Sequence, residues 1–169
     1  MTERVDETSD CYACVAAVLW TEREALELVL FKLVEEQLVL TSGSTRWLNR
    51  ADAELRIALD RLRGNELARA AEVEALALGL GVPLQTTLAE LAGTAPEPWG
   101  MVLAEHRTAL RSLVFEVDAV AAENRRLLEA GAKTIRETLD NLSLSTSTYD
   151  ASGAAVEWAR GPFLFDAQA

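Results

Sequence analysis

The sequence predicts an all-α protein: an elongated antiparallel bundle of three long helices, with a short connecting helix and a flexible C-terminal tail. Ala, Leu, Glu, Arg and Lys make up about half of the chain, and these residues favour helices. Apolar residues recur every three or four positions through long segments, as they do on the buried face of a helix. A chain of 169 residues has the size of a single domain. We place the helical domain at residues 1–142 and the polar tail at residues 143–169.

The charge of the chain excludes several classes of function. The net charge is −11, whereas nucleic-acid binding relies on Lys and Arg to neutralise phosphates. No stretch contains the ~18 uncharged apolar residues of a membrane span, and the acidic start lacks the basic region of a secretory signal. We therefore expect a cytoplasmic protein that neither binds nucleic acid nor inserts into membranes.

The first long helix is predicted from about Ala13 to Leu40, after a polar and frayed segment at residues 1–12. Its apolar residues cover more than one narrow stripe, so we expect it to lie centrally and to contact two neighbours. Gly43 suits a left-handed helix stop, and Ser44 or Thr45 can cap the helix that follows. The apolar residues are Leu19, Leu26, Val29, Leu30, Phe31, Leu33, Val34, Leu38 and Leu40.

The second helix carries apolar residues from Leu48 onwards and ends in the segment 79–83. Gly64 and Asn65 interrupt the pattern weakly, so the sequence is compatible with one kinked helix or with two helices. The apolar positions are Leu48, Ala51, Leu55, Leu59, Leu62, Leu67, Ala70, Val73, Leu76, Ala77 and Leu80.

A short helix is predicted in the connection to the last long helix. Thr87 and Glu90 have the spacing of a capping box, in which each side chain bonds the other residue's backbone amide. We expect this helix at residues 88–92, closed by Gly93. Pro98 then suits the first turn of the next helix, where its missing amide hydrogen costs little.

The last helix, residues 98–142, has the clearest periodicity. Its seam has the alternating spacings of three and four that are typical of a coiled coil, and these drift after Gly131. Asn124 interrupts the seam with a polar side chain, which in helical bundles fixes register at some cost in stability. We therefore expect Asn124→Leu to raise stability. The seam consists of His106, Leu110, Leu113, Val117, Val120, Asn124, Leu127, Gly131, Ile135, Leu139 and Leu142.

No combination of residues indicates catalysis or a bound metal. Cys11 and Cys14 form a C-x-x-C pair, but a zinc site needs two more ligands and the chain has one His and no third Cys. We interpret them as reduced thiols, with disulfide formation as the alternative. His106, the one His, suits a hydrogen-bonded packing residue better than a catalyst. The sequence thus predicts a protein that is not an enzyme and has no cofactor.

Several sequence segments, taken in their order along the chain, resemble the FlgN family and particularly its actinobacterial branch. They combine a long first helix, a glycine-and-proline break, a short helix, an Asn in the last helix and a Tyr followed by Gly. The segments are LWTEREALELVLFKLVEEQLVL (19–40), RWL (46–48), ELARA (66–70), LGLGVP (78–83), TLAELA (87–92), APEPW (95–99), ENRRLL (123–128) and TYDASG (148–153).

This resemblance implies a cytoplasmic chaperone of flagellar type III export. Such a protein binds the C-terminal helical segments of hook-associated proteins, which form the junction between hook and filament, and keeps them soluble before export. An apolar groove between long helices and a charged exterior are compatible with that role. A structural coiled-coil adaptor is the alternative, and a helical enzyme of small molecules would need inward-facing charges that the pattern lacks.

We expect partners to bind the C-terminal half of the last helix and the segment after it. This region is rich in apolar residues, and Gly131 permits a close backbone approach. Tyr149 would anchor a client or the export apparatus; a tail residue that packs on its own bundle or is solvated is the alternative. The predicted partner-binding residues are Leu127, Leu128, Ile135, Leu139, Leu142, Leu144 and Tyr149.

Overall fold

The computed structural model describes the backbone of residues 2–144, 148–149 and 155–156, and the side chains of residues 9–141. Apart from two strands of two residues each, the elements of this part of the chain are helices, which confirms the predicted all-helical fold. The chain divides into two units, Met1–Asn124 and Arg125–Ala169. The predicted domain boundary at residue 142 stays a prediction, and most of the predicted tail lies outside the described residues. The elements are α1 (Thr2–Thr41), a 3₁₀ helix (Thr45–Trp47), α2 (Leu48–Leu80), α3 (Leu88–Thr94), α4 (Trp99–Leu144) and the antiparallel strands β1 (Thr148–Tyr149) and β2 (Ala155–Val156).

Helix α1 begins at Thr2, so the predicted frayed segment at residues 1–12 is wrong. Tyr12 is 2% exposed, and its ring stacks on Trp99 with the ring centroids 6.1 Å apart. Burial also raises the pKa of the Tyr12 phenol. Tyr12, Val15 and Leu19 are spaced by three and four residues and therefore lie on one helix face, which the core buries. That spacing could have revealed the earlier start despite the polar residues between them.

One hydrophobic cluster joins the early part of α1 to later helices. Its fully buried members on α1 are Tyr12, Val15 and Leu19, and they pack with Leu76 of α2. α3 and the first turns of α4 complete the cluster. The remaining buried members are Leu91 and Leu103, surrounded by the partly buried Cys11, Val73, Leu80, Val82, Leu88, Ala92, Ala95, Trp99 and Leu110.

A second hydrophobic cluster joins the later part of α1 to the first half of α2 and the middle of α4. Val29 and Leu33 of α1 pack with Leu55 and Ala58 of α2. Helix α1 therefore contacts both long helices, as its wide apolar surface predicted. The partly buried residues around this cluster are Leu28, Leu59, Leu62, Val117, Val120 and Ala121.

The turn between α1 and α2 lies at its predicted position. Gly43 has a φ of 68°, the left-handed conformation expected of a helix stop. The predicted hydroxyl cap is absent, because Ser44 precedes the 3₁₀ helix without a side-chain capping bond. Helix α2 follows with Trp47 as its N-cap residue, again without such a bond.

Helix α2 is continuous through Gly64, which resolves the alternative between one helix and two. Asn65 ties this segment to α1, because its side-chain amide donates a hydrogen bond of 3.0 Å to the Thr21 carbonyl. After Gly64, the apolar pattern predicted burial correctly for only some of its residues. Leu67 is 73% exposed, whereas Leu76 and Ala77 are buried.

The capping box of α3 is present as predicted: the Thr87 hydroxyl accepts from the Glu90 amide, and the Glu90 carboxylate accepts from the Thr87 amide at 2.7 Å. The Thr87 amide and hydroxyl both donate to the Glu90 carboxylate, and these two bonds lower the pKa of Glu90. The predicted end at residue 92 is wrong by two residues, since α3 continues to Thr94. Gly93 is not among the glycines with positive φ, so it does not act as a left-handed stop.

Helix α2 ends in a left-handed glycine, Gly81, with a φ of 67°. The Val82 amide donates to the Ala77 carbonyl and the Gly81 amide donates to the Leu78 carbonyl, which is the bonding of a Schellman motif. A side chain at Gly81 would be strained whatever the space around it.

We expect Gly81→Ala to lower the free energy of unfolding by about 1–2 kcal/mol, because a Cβ disfavours the left-handed region. Gly79→Ala is a matched control, since Gly79 lies within the helix and an added Cβ would meet nothing within 4 Å. We expect Gly79→Ala to raise stability by about 0.5–1 kcal/mol. Urea unfolding of both variants measures the difference, and equal effects would contradict the assigned cap.

Candidate partner-binding face

The buried face of α1 is a seam with alternating spacings of three and four that contains two glutamates. Glu22 is 7% exposed and Glu36 is 6% exposed. They are fourteen residues apart, which is two heptads, and each occupies a position where the seam would otherwise carry an apolar residue. The seam consists of Tyr12, Val15, Leu19, Glu22, Leu26, Val29, Leu33 and Glu36.

Asn124 of α4 is the partner of Glu36. Its side-chain amide donates to the Glu36 carboxylate at 2.9 Å and to the Leu33 carbonyl at 2.8 Å. Asn124 is 2% exposed, and its Oδ1 has no hydrogen-bond partner in the structure. A buried carboxylate that loses its donor is costly. The expectation that Asn124→Leu raises stability is therefore reversed by this network, which sequence periodicity alone does not show.

Arg69 of α2 is the partner of Glu22, with Arg69 Nε 2.6 Å from Glu22 Oε2. Burial raises the pKa of Glu22, the attraction of Arg69 lowers it and the charge of Glu66 raises it, with a net upward direction. A raised pKa means that the folded state favours the protonated form. The contribution of Glu22 to the stability of the fold is therefore fully present below its ordinary pKa of 4.5. It is lost as the pH rises through the pKa of the folded state.

We expect Glu22→Gln to change the pH dependence of unfolding. The stability of the variant relative to the unmodified protein should be greater at pH 7 than at pH 4.5, because only the unmodified protein carries a buried carboxylate at position 22 that ionises as the pH rises. Glu24→Gln, at an exposed position of α1, is the control and should show no such difference. Denaturant unfolding at both pH values tests this, and a pH-independent difference for Glu22→Gln would contradict it.

The residues considered for chemistry lie on two helices, α1 and α4. Cys11 is half-buried against the first cluster and Cys14 is exposed, and both are free thiols. His106 packs edge-on against Trp20, with ring centroids 6.2 Å apart. Burial and the nearby Arg23 lower its pKa. Its buried Nδ1 has no hydrogen-bond partner in the structure, so the predicted hydrogen bond is missing at this atom.

Three exposed apolar side chains lie on one face of α4 after Asn124. Leu128 is 42% exposed, Ile135 60% and Leu139 59%. At 3.6 residues per turn these positions fall within about 40° of arc. We call them the distal stripe. They continue the periodicity of Val117 and Val120, which pack in the second cluster, but here the apolar side chains are exposed.

The structure describes only part of the predicted binding set. Leu127 is half-buried, and the distal stripe supplies three of the other predicted residues. An added Cβ at Gly131 would meet nothing within 4 Å, so the helix surface is open there. The side chains of the remaining predicted residues lie outside the described residues; these are Leu142, Leu144 and Tyr149.

The described part of the chain shows neither a metal site nor a helix that could span a membrane. Residues 9–141 contain no group of three or more His, Cys, Asp or Glu side chains arranged to hold a metal ion. None of the described helices is sufficiently long and apolar to cross a membrane. The salt bridges between helices are structural: Lys32 of α1 lies 2.7 Å from Glu54 of α2. Hydrogen bonds to Glu35 and Glu54 raise the pKa of Lys32, and hydrogen bonds from Lys32 and Arg50 lower that of Glu54.

An all-helical fold with an open apolar face on a long helix is compatible with a protein that binds the helices of partners. Comparison with known families agrees, because the FlgN protein family matches residues 13–157. The chain belongs to the FlgN family, a family of flagellar export chaperones rather than enzymes. Curated proteins and solved structures gave no match.

Proposed function

We propose that this chain is a cytoplasmic chaperone, of the actinobacterial type of its family, that binds the C-terminal helical segments of hook-associated flagellar proteins. Bound in this way, the segments stay soluble until type III export. Membership of the FlgN family supports the chaperone role, and the distal stripe is the observation that supports the binding mode.

The distal stripe is large enough to hold an amphipathic helix. Its outermost members, Leu128 and Leu139, are eleven positions apart along α4, which is about 16 Å of helix, and Ile135 lies between them. Full burial of an aliphatic side chain contributes about 1.5–3 kcal/mol. A client that covers all three would gain enough to offset part of the entropy of association.

The remaining predicted residues extend this binding surface. Leu127 borders the distal stripe, and we propose that Leu142 and Leu144, whose side chains lie outside the described residues, also take part in binding. Tyr149 belongs to β1, which follows α4 after three residues. We propose that it anchors the client or the export apparatus, since an aromatic ring offers a large contact area.

The three long helices pack together through the two hydrophobic clusters. Early residues of α1 meet late residues of α2, and later residues of α1 meet early residues of α2. Along α4, contacts with α1 proceed in the same direction as the chain of α1. This order supports the antiparallel bundle of three long helices and the coiled-coil interpretation of the α4 seam.

Titration of the chain with the C-terminal segments of hook-associated proteins tests this function. We expect saturable binding by calorimetry and suppression of client aggregation by light scattering. A structural adaptor, the alternative, would not keep these segments soluble. Absence of both binding and solubilisation would contradict the proposal.

A further inference from the structure

The charged residues beside the distal stripe differ between its two edges. Arg125 and Arg136 lie on one edge, about 60–80° of arc from the stripe. Both are exposed, and neither makes an ion pair or hydrogen bond within the described part of the chain. They are eleven residues apart, which is about 16 Å along the helix.

Of the residues that the structure describes, the acidic ones near this edge do not pair with the two arginines, which therefore remain available to a partner. Glu129 lies between them on the same side of the helix, but it is not paired with either one among the described contacts. Glu137 lies 3.8 Å from Lys133, so this acid is already balanced by a different cation. Asp140 also has an interaction of its own.

The opposite edge is neutral. Thr134 and Thr138 lie there, and their hydroxyls donate to the Ala130 and Thr134 carbonyls at 3.1 and 2.9 Å. These hydroxyl hydrogens are used within α4 and do not add charge. Gly131 on this side leaves space for a close approach.

From this asymmetry we infer that the client of the distal stripe is an amphipathic helix with acidic residues along one edge of its apolar face. The inference rests on the proposed function. Two acidic positions about eleven residues apart would meet Arg125 and Arg136 at the same time, since both helices rise by the same ~1.5 Å per residue. The chain as a whole carries a charge of −11, so an acidic client needs local cations to approach. Such edge charges set orientation and partner choice more than total affinity.

Two synthetic helical peptides test this inference. They share one leucine stripe and differ at two edge positions eleven residues apart, which carry Glu in one peptide and Lys in the other. Fluorescence anisotropy against the full chain at low salt measures both. We expect the Glu peptide to bind about 3- to 30-fold more tightly, from two surface ion pairs gained in one case and two repulsions in the other. This ratio should shrink as salt is added.

Charge reversal assigns the effect to the two arginines. Arg125→Glu with Arg136→Glu should invert the preference, so that the Lys peptide binds more tightly. Arg61→Glu with Arg111→Glu makes the same change in net charge at exposed positions of the other unit, and it should keep the preference of the unmodified chain.

The possible results separate this inference from the function on which it rests. Equal binding of the two peptides, or a preference unchanged by reversal of Arg125 and Arg136, would overturn the inference and leave the proposed function in place. The inference would also be overturned if hook-associated segments bound while neither peptide did. If those segments failed to bind as well, the proposed function itself would be wrong.

Discussion

The double variant Ile135→Asp/Leu139→Asp is expected to lose client binding. Each substitution removes an aliphatic side chain from the contact and places a carboxylate against the apolar face of the client. The loss of about 3–6 kcal/mol corresponds to a decrease in affinity of about 10²- to 10⁴-fold. Calorimetric titration with the C-terminal segment of a hook-associated protein measures it.

Two other exposed apolar residues provide a matched control for the distal stripe. Phe115 of α4 is 75% exposed and Leu67 of α2 is 73% exposed. The Leu67→Asp/Phe115→Asp variant has the same change in charge and removes similarly exposed side chains. It should bind the client with unchanged affinity. A far-ultraviolet spectrum of each variant excludes unfolding as the cause, and unaltered affinity in Ile135→Asp/Leu139→Asp would place the binding site elsewhere.

Asn124→Leu is expected to lower stability, because it removes the donor from the buried Glu36 carboxylate. The cost of a buried charged acceptor without its hydrogen bond is offset only in part by the added apolar contact, for a net loss of about 1–3 kcal/mol. In a domain of this size that is a fall in Tm of about 3–12 °C. Calorimetric melting at neutral pH measures it.

A double-mutant cycle attributes this loss to the pair. Glu36→Leu combined with Asn124→Leu replaces both polar groups by apolar ones, which in other buried pairs is neutral or stabilising. We expect the double variant to be more stable than Asn124→Leu alone. If Asn124→Leu by itself raised Tm, the hydrogen bonds to Glu36 and Leu33 would contribute nothing, and the sequence-based expectation would be correct instead.

Much of the helical architecture could be predicted from local sequence. The ends of α1 and α2 follow from glycines that adopt positive φ, at Gly43 and Gly81. The capping box at Thr87 and Glu90 identified the start of α3, because its two residues bond each other within one turn. These signals are local, and so they depend little on the rest of the fold.

The buried face of α1 was harder to predict. Its spacing is regular from Tyr12, but Glu22 and Glu36 interrupt the apolar pattern that a hydrophobicity argument follows. Their burial depends on Arg69 and Asn124, which lie on other helices and distant in sequence. Only the tertiary contacts show that these glutamates belong to the seam.

The sequence predicted the position of the distal stripe but not the exposure of its side chains. The seam of α4 has similar spacing before and after Asn124, so periodicity alone predicts burial for both parts. The structure buries or half-buries the seam residues up to Leu127 and leaves Ile135 and Leu139 mostly exposed. Exposure depends on which elements pack against a face, and a single sequence does not specify that.

Hydrogen–deuterium exchange of the full chain, with and without a hook-associated C-terminal segment, tests the central claim most directly. Binding to the distal stripe should slow amide exchange in residues 125–141 of α4, because a bound helix stabilises that part of the helix against local opening. The backbone amides of α1 and α2 should exchange at the same rate as in the free protein. Protection confined to residues 19–40 or 48–80, with no change in 125–141, would contradict the proposed binding site.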